Sequence, residues 1–470
     1  MSIQIPPMQE HDLPKREKSF WRMTGPGAVM VGLAIGSGEM VLWPWITAKF
    51  GAGMAWAAVL GIFIQMWINF EIGRWAIATG ESAFTGFARV SRNFIYFFMA
   101  ALFVLAWLPG WARATGVILR HLVFGLEGPG ADWQWTILVY IAVFLLLFGP
   151  KRIYATLERV VSVLVLVVVF GMIAVVFRIG TWEHVVELGA GLVNFGNITL
   201  AEDFSFMRFF GALVFVGAGG FGQLYYAYYL RDKGIGMGKQ IPELQSALRD
   251  QGESRNQIGY TFPDTEENQS RFRDWFLYVK LDNVLYFFFL NTFITLLFMY
   301  GALVVFHANG IVPTEANIIW DLSQLLEPSM GQFGHYLFLV VALAAMFSTQ
   351  LAVCDGGWRI WTDMVHTNIA IARRYTQNQL YLRVAILLAC VGIFSIWFLE
   401  TFDVSMLDFF FINAAINGGA MAIWVPLILY INIRHLPKSA RPHPINIGMM
   451  LIATLFFMSF ALYTVWDKVT

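Results

Sequence analysis

AIGSGEMVLWPW, Ala34 to Trp45, lies inside an apolar stretch long enough to cross a bilayer, yet carries two glycines, a serine and a glutamate at its middle. Glycine in a helix interior costs about 1 kcal/mol relative to alanine. An ionisable side chain at membrane depth costs at least about 2.5–3.5 kcal/mol. Both costs fall where a span should be most regular. A second stretch repeats the pattern: VGAGGFGQ, Val216 to Gln223, puts four glycines within six positions.

Such glycine density predicts that both helices are broken there. Close packing of small residues explains one such stretch but not two at matching places five spans apart. Corresponding interrupted spans in two halves of a chain point to an inverted-repeat transporter whose site lies between the broken helices near the midplane. Backbone freed by a break survives in a bilayer only against protein or a polar cavity, so its carbonyls become ligands for a cation. GAGGFG, Gly217 to Gly222, matches the GxGxxG dinucleotide fingerprint in letters alone. Its flanks, FFGALVFV and QLYYAYYL, belong to an apolar span rather than a soluble strand–turn–helix unit, which excludes nucleotide binding.

The rest of the chain agrees. Of 470 residues, 58% are hydrophobic and 13% charged, and the mean hydropathy is +0.62, far above a soluble domain. Apolar runs of about 20 residues, the length that crosses the hydrocarbon, fall near 24–47, 52–78, 95–122, 134–149, 157–180, 205–230, 276–307, 334–358, 382–400, 406–433 and 445–466. The expected fold is therefore an all-α membrane protein with 11 transmembrane helices in a 5+5 inverted repeat. Residues 1–23 form a cytoplasmic tail, 24–180 the first repeat, 205–433 the second repeat and 445–470 an appended helix with a short tail. With the N-terminus inside, 25 of the 31 Lys and Arg residues fall at cytoplasmic ends, as the positive-inside rule requires. The C-terminus is then outside, in a plasma (inner) membrane. The polar insertion 231–275 reads as a cytoplasmic loop, with a short amphipathic helix at 240–250. The tail lacks the order of a cleaved signal, so the first helix is expected to direct insertion.

Thirty-one acidic residues balance the 31 basic ones, so no long-range field or basic stripe argues for nucleic acid. Cys354 and Cys390 sit in apolar segments, and no Cys or His cluster has metal-ligand spacing. No nucleophile elbow or metalloprotease motif is present, so enzyme activity is not expected.

The run GPGAVMVGLAIGSGEMVLWPWITAKFGAGMAW, Gly25 to Trp56, with RWAIATGES (Arg74–Ser82), AAMFSTQ (Ala344–Gln350) and INAAINGGAMAIWVPLIL (Ile412–Leu429), resembles the Nramp family of divalent-metal transporters. The resemblance covers nearly the whole chain and implies the LeuT-like inverted-repeat fold. It also exposes departures. The family's Asp-Pro-Gly-Asn motif falls on Gly36, Ser37, Gly38 and Glu39, and its Met-Pro-His-Asn motif on Gly220, Phe221, Gly222 and Gln223. The usual metal-binding aspartate and the thioether that favours soft metals are absent. The second histidine of that helix is Ala227, and the acidic proton route of helix 3 is replaced by LPGWARATG, Leu108 to Gly116.

The expected substrate site comprises Leu33, Gly36, Ser37, Glu39, Gly217, Gly220, Gln223, Asn413 and Asn417, with Glu39 and Gln223 as the metal-facing side chains and backbone carbonyls completing the set. Such hard oxygen ligands suit Mg²⁺ or Mn²⁺ better than Zn²⁺ or Cu²⁺. No resident cofactor is implied, only the transported cation. Arg113 is the candidate pathway or charge partner. An unpaired Glu39 wants a cation; a Glu39 paired with Arg113 leaves a neutral site for an uncharged or zwitterionic solute. Two functions follow: alternating-access transport of a divalent cation with weak or absent proton coupling, or transport of a small organic solute such as an amine or amino acid. A non-transporting sensor using the 231–275 loop is the third. The partners are the bilayer and the transported ion or solute.

Overall fold

The computed structural model describes residues 5–198, 204–248, 259–313, 320, 321, 323, 327–402 and 406–469. Long apolar helices dominate. The first, α1, runs from Pro26 to Phe50 in three pieces: α-helix Pro26–Ala34, π-helix Ile35–Leu42 and α-helix Trp43–Phe50. Its two halves are inclined by 40°. After it come α2 (Ala55–Thr79), α3 (Arg92–Phe124), α4 (Asp132–Phe148) and α5 (Ile153–Ile179). The second set is α6 (Phe206–Asp232), α7 (Glu266–Val305), α8 (Met330–Asn368), α9 (Gln377–Leu399) and α10 (Met406–His435), with α11 (Pro444–Val469) closing the chain. Among the described residues, nine of these are long and apolar enough to span a bilayer, the bent α1 makes ten, and the 17-residue α4 is the shorter candidate.

Local chemistry sets the ends. Pro26 opens α1, where the missing N–H costs nothing. Gly80 ends α2 in the left-handed conformation (φ 69°). Thr376 and Gln379 form a reciprocal capping box at the start of α9. The loop expected over 231–275 is shorter than its polar composition suggests, because Thr265 caps a helix at Glu266 and acidic Glu266 and Glu267 favour its first turn. Phe272, Trp275, Phe276 and Val279 then bury one face of that helix. The helix expected at 240–250 does not form over 241–248, which are irregular, while 249 and 250 lie outside the described residues.

α2, α6 and α8 are largely buried, whereas α4, α5, α9 and α11 expose side chains such as Leu145, Phe170, Leu387 and Leu455. An exposed apolar belt of this kind is a lipid-facing surface. At the tail end, Gln9–Glu10 pairs in parallel with Tyr260–Thr261, and the Trp275 indole donates to Pro14 O (2.7 Å). Charges at this end are paired: Arg359 bridges Asp355 (2.8 Å) and Asp232 (2.5 Å), and Lys233 meets Glu158 (2.6 Å). Glu71 and Arg74 pair within α2 (2.9 Å).

Candidate functional site

The two breaks are built differently. In α1 the π-turns displace the hydrogen-bond ladder, and α8 splices it: Thr349 Oγ1 donates to Gly32 O (3.0 Å) and accepts from Gly36 N–H (2.9 Å), while Ser348 Oγ donates to the same carbonyl (2.9 Å). A Cβ on Gly36 would overlap the Thr349 hydroxyl. The expected unwinding is therefore a continuous π-helical bend, because α8 supplies the groups that a loop would otherwise need from water.

In α6 the chain leaves helical geometry at Val216 (ψ 68°), swings through Gly217 (φ 140°) and Gly220 (φ 69°), and resumes as a 3-10 turn over Gly220–Leu224. Only glycine takes those positive φ values without strain. Side chains serve the backbone freed there. Gln65 Nε2 donates to Leu213 O (3.1 Å) and Val214 O (3.0 Å), Asn417 Oδ1 accepts from Phe221 N–H (3.0 Å), and Met421 Sδ accepts from Gly220 N–H (3.1 Å). The two broken helices touch at Gly38, where a Cβ would overlap the carbonyl of Phe215.

Behind the α6 break, Glu39 is fully buried and its Oε1 accepts from Asn291 Nδ2 of α7 (2.9 Å). The backbone of Gly217 lies beside this carboxylate, and a Cβ on Gly217 would sit 2.6 Å from Gln65 Oε1. Gln223 joins the group by donating from Nε2 to Gln65 O (3.2 Å). Each of the three amides is thus oriented by its nitrogen, which fixes where its oxygen points. Four oxygens are left over: Glu39 Oε2, Gln65 Oε1, Gln223 Oε1 and Asn291 Oδ1 are buried with no hydrogen-bond donor among the described residues.

In front of the break lies a cavity of about 140 Å³ between α1, α3, α4, α6, α8, α9 and α10. Rings of Trp111, Phe215, Phe221, Tyr225, Trp358 and Trp361 form much of its wall, with Leu33, Gly217 and Gly219 at the breaks. Thr349, Gln350, Asn413 and Asn417 are its polar side chains. Among the described residues that line it, none is Asp, Glu, Lys, Arg or His.

Of the expected site, Leu33, Gly217, Asn413 and Asn417 therefore line the cavity, while Glu39 and Gln223 are buried outside its lining. Gly36 and Gly220 serve close approach and turn geometry, and the side chain of Ser37 lies outside the described residues. Asn413 Nδ2 donates to Leu108 O (2.8 Å) and Asn417 Nδ2 to Asn413 O (2.9 Å), so both amides brace α10 as well as lining the cavity. Arg113 does not reach Glu39; its Nε pairs with Asp132 of α4 (2.9 Å). Gln65 and Asn291 were not singled out in the sequence. Their signal was present nonetheless, as lone amides within apolar runs.

A family model described as natural resistance-associated macrophage protein-like (Nramp) matches residues 244–467. Over those residues the chain is similar to the Nramp family. No curated protein matches it by sequence. Among solved structures, the chain is similar to a histidine-to-alanine mutant of the Eremococcus coleocola manganese transporter, at 15% identity and TM-score 0.66 over 98% of this chain and 90% of that one. The same transporter in complex with an aromatic bis-isothiourea substituted compound gives 16% identity and TM-score 0.64 over 96% and 89%. MhsT in complex with L-phenylalanine gives 14% and 0.50 over 95% and 99%. These likenesses establish the LeuT-like fold, with α1 and α6 as its broken helices.

Proposed function

We propose that this Nramp-related chain is a secondary transporter of a hard divalent cation, Mg²⁺ or Mn²⁺, working by alternating access. The observation that carries this reading is the buried Glu39 beside Gly217 and Gln65, with Glu39 Oε2, Gln65 Oε1, Gln223 Oε1 and Asn291 Oδ1 each without a donor among the described residues. A buried acceptor without a donor costs about 1–3 kcal/mol, and a carboxylate costs more; a cation beside them offsets part of that cost. One carboxylate with neutral amide oxygens is a hard ligand set. The similar Eremococcus chain is named a manganese transporter, which accords with this cargo. The stretch Leu108–Gly116, which carries no acidic residue where the family has its helix-3 proton route, argues for weak or absent proton coupling. The ties between the N-terminal tail and basic residues, such as Lys239 to Glu17 (2.9 Å), support a common cytoplasmic end. The Asp232–Arg359 pair between α6 and α8 would have to part when that end opens.

Uptake of Mn²⁺ and Mg²⁺ into proteoliposomes tests the reading. The wild-type chain is expected to move at least one of them, and Glu39→Gln is expected to lose at least about 90% of that flux. Equal flux in the variant removes Glu39 from the site; absence of any divalent flux or binding in the folded wild type ends the proposal. A second reading, transport of a small organic solute, is favoured by one specific observation: the cavity in front of the break is aromatic and uncharged.

A further inference from the structure

We infer that the cavity in front of the α6 break is a separate binding site for a small, uncharged, planar organic solute, and that it is occupied independently of the cation behind the break. This rests on the second reading above and specifies its ligand class. Aromatic side chains line much of the cavity, and its polar groups, Thr349, Gln350, Asn413, Asn417, Cys354 and the hydroxyls of Tyr140 and Tyr225, are uncharged residue types. A charged solute taken from water into such a site gains no counter-charge to offset its desolvation. A neutral amide or heteroaromatic ring loses little solvation and gains contact with Trp358, Trp361 and Phe221. Size agrees as well: the volume of about 140 Å³ is close to that of an engineered cavity of about 150 Å³ that binds benzene.

Separation of the two sites follows from Gly217. Its backbone borders the cavity and also lies beside the Glu39 carboxyl and Gln65 Oε1, neither of which lines the cavity. Gly217 is thus backbone shared between an uncharged cavity and a buried acidic group.

Three probes of nearly one shape read the charge rule: benzamide, benzoate and benzylamine. Equilibrium dialysis of radiolabelled benzamide with the full chain in detergent is expected to show saturable binding, and the two charged analogues to compete at least about tenfold more weakly. Gly357 supplies the blocking variant, since a Cβ there meets only the Tyr225 hydroxyl, at 3.5 Å. Gly357→Leu therefore adds bulk to the cavity wall from a position whose Cβ is at ordinary contact distance. It is expected to abolish benzamide binding and leave Mn²⁺ binding at the wild-type level, whereas Glu39→Gln is expected to do the reverse. If Gly357→Leu does not fold, Val353→Phe, one turn away on the same wall, makes the same test. The inference is overturned if benzoate or benzylamine binds as tightly as benzamide, if benzamide does not bind at millimolar concentration, or if the filled variants bind it unchanged. Loss of Mn²⁺ binding alone would defeat the cation reading and leave this one standing.

Discussion

The cavity and the Glu39 group both adjoin the α6 break at Gly217 and differ in chemistry. Behind Gly217, a buried carboxylate and three amides are packed with their oxygens unsatisfied; in front, a cavity has room but no charge. The difference shows that a helix break does two jobs in a membrane. Its freed backbone admits polar side chains on the crowded side, where Gln65 serves Leu213 and Val214. The glycines that make the break also leave space on the other side.

That contrast is most directly destroyed at Gly38, where the broken helices meet. Gly38→Val drives a side chain into the carbonyl of Phe215, and its neighbour is backbone rather than a movable side chain. Destabilisation of about 4 kcal/mol or more is expected, read as loss of folded, monodisperse protein and of both binding activities together.

A smaller effect separates the two faces. Asn417→Ala removes the acceptor for Phe221 N–H from the cavity side only. An unpaired buried N–H costs about 1–3 kcal/mol, so melting temperature is expected to fall and benzamide affinity to weaken, with Mn²⁺ binding retained. Equal loss at both sites would show that the break moves as one unit.

The smallest effect lies outside the membrane, at the tail. Glu17 has its pKa lowered from the ordinary carboxylate value, first by the hydrogen bond from Lys239 and then by that ammonium's charge. A lowered folded pKa means stabilisation that is present above the unfolded pKa and lost as pH falls through the folded one. The exposed tether is accordingly expected to loosen in acid, below about pH 4, seen as faster proteolysis of the tail in wild type than at neutral pH. Lys239→Gln is expected to remove that pH dependence while leaving flux unchanged.

Much of this was legible in the chain itself. The apolar run lengths and the glycine clusters at Gly36–Gly38 and Gly217–Gly222 depend on local energies, the cost of polar groups in hydrocarbon and of glycine in a helix. They therefore predicted spans, breaks and repeat order before any contact was known. The helix beginning at Glu266 was obscured because its polar face outweighs the apolar positions Phe272, Trp275, Phe276 and Val279 that bury it. The partnership of Arg113 with Asp132 joins residues on different helices, which spacing along the chain does not encode.

Glu39 marks the boundary most clearly. Its presence beside a break, in a span, was a property of the sequence, and so was the inference that it needs a positive partner or a donor. That it is buried against Asn291 and outside the cavity lining was decided only by tertiary structure, through the π-helical stretch of α1, the close contact at Gly38 and the amide of Asn291. One π-turn is enough to carry a side chain from one face of a helix toward another. Its energy comes from neighbours hundreds of residues away, and no local pattern records it.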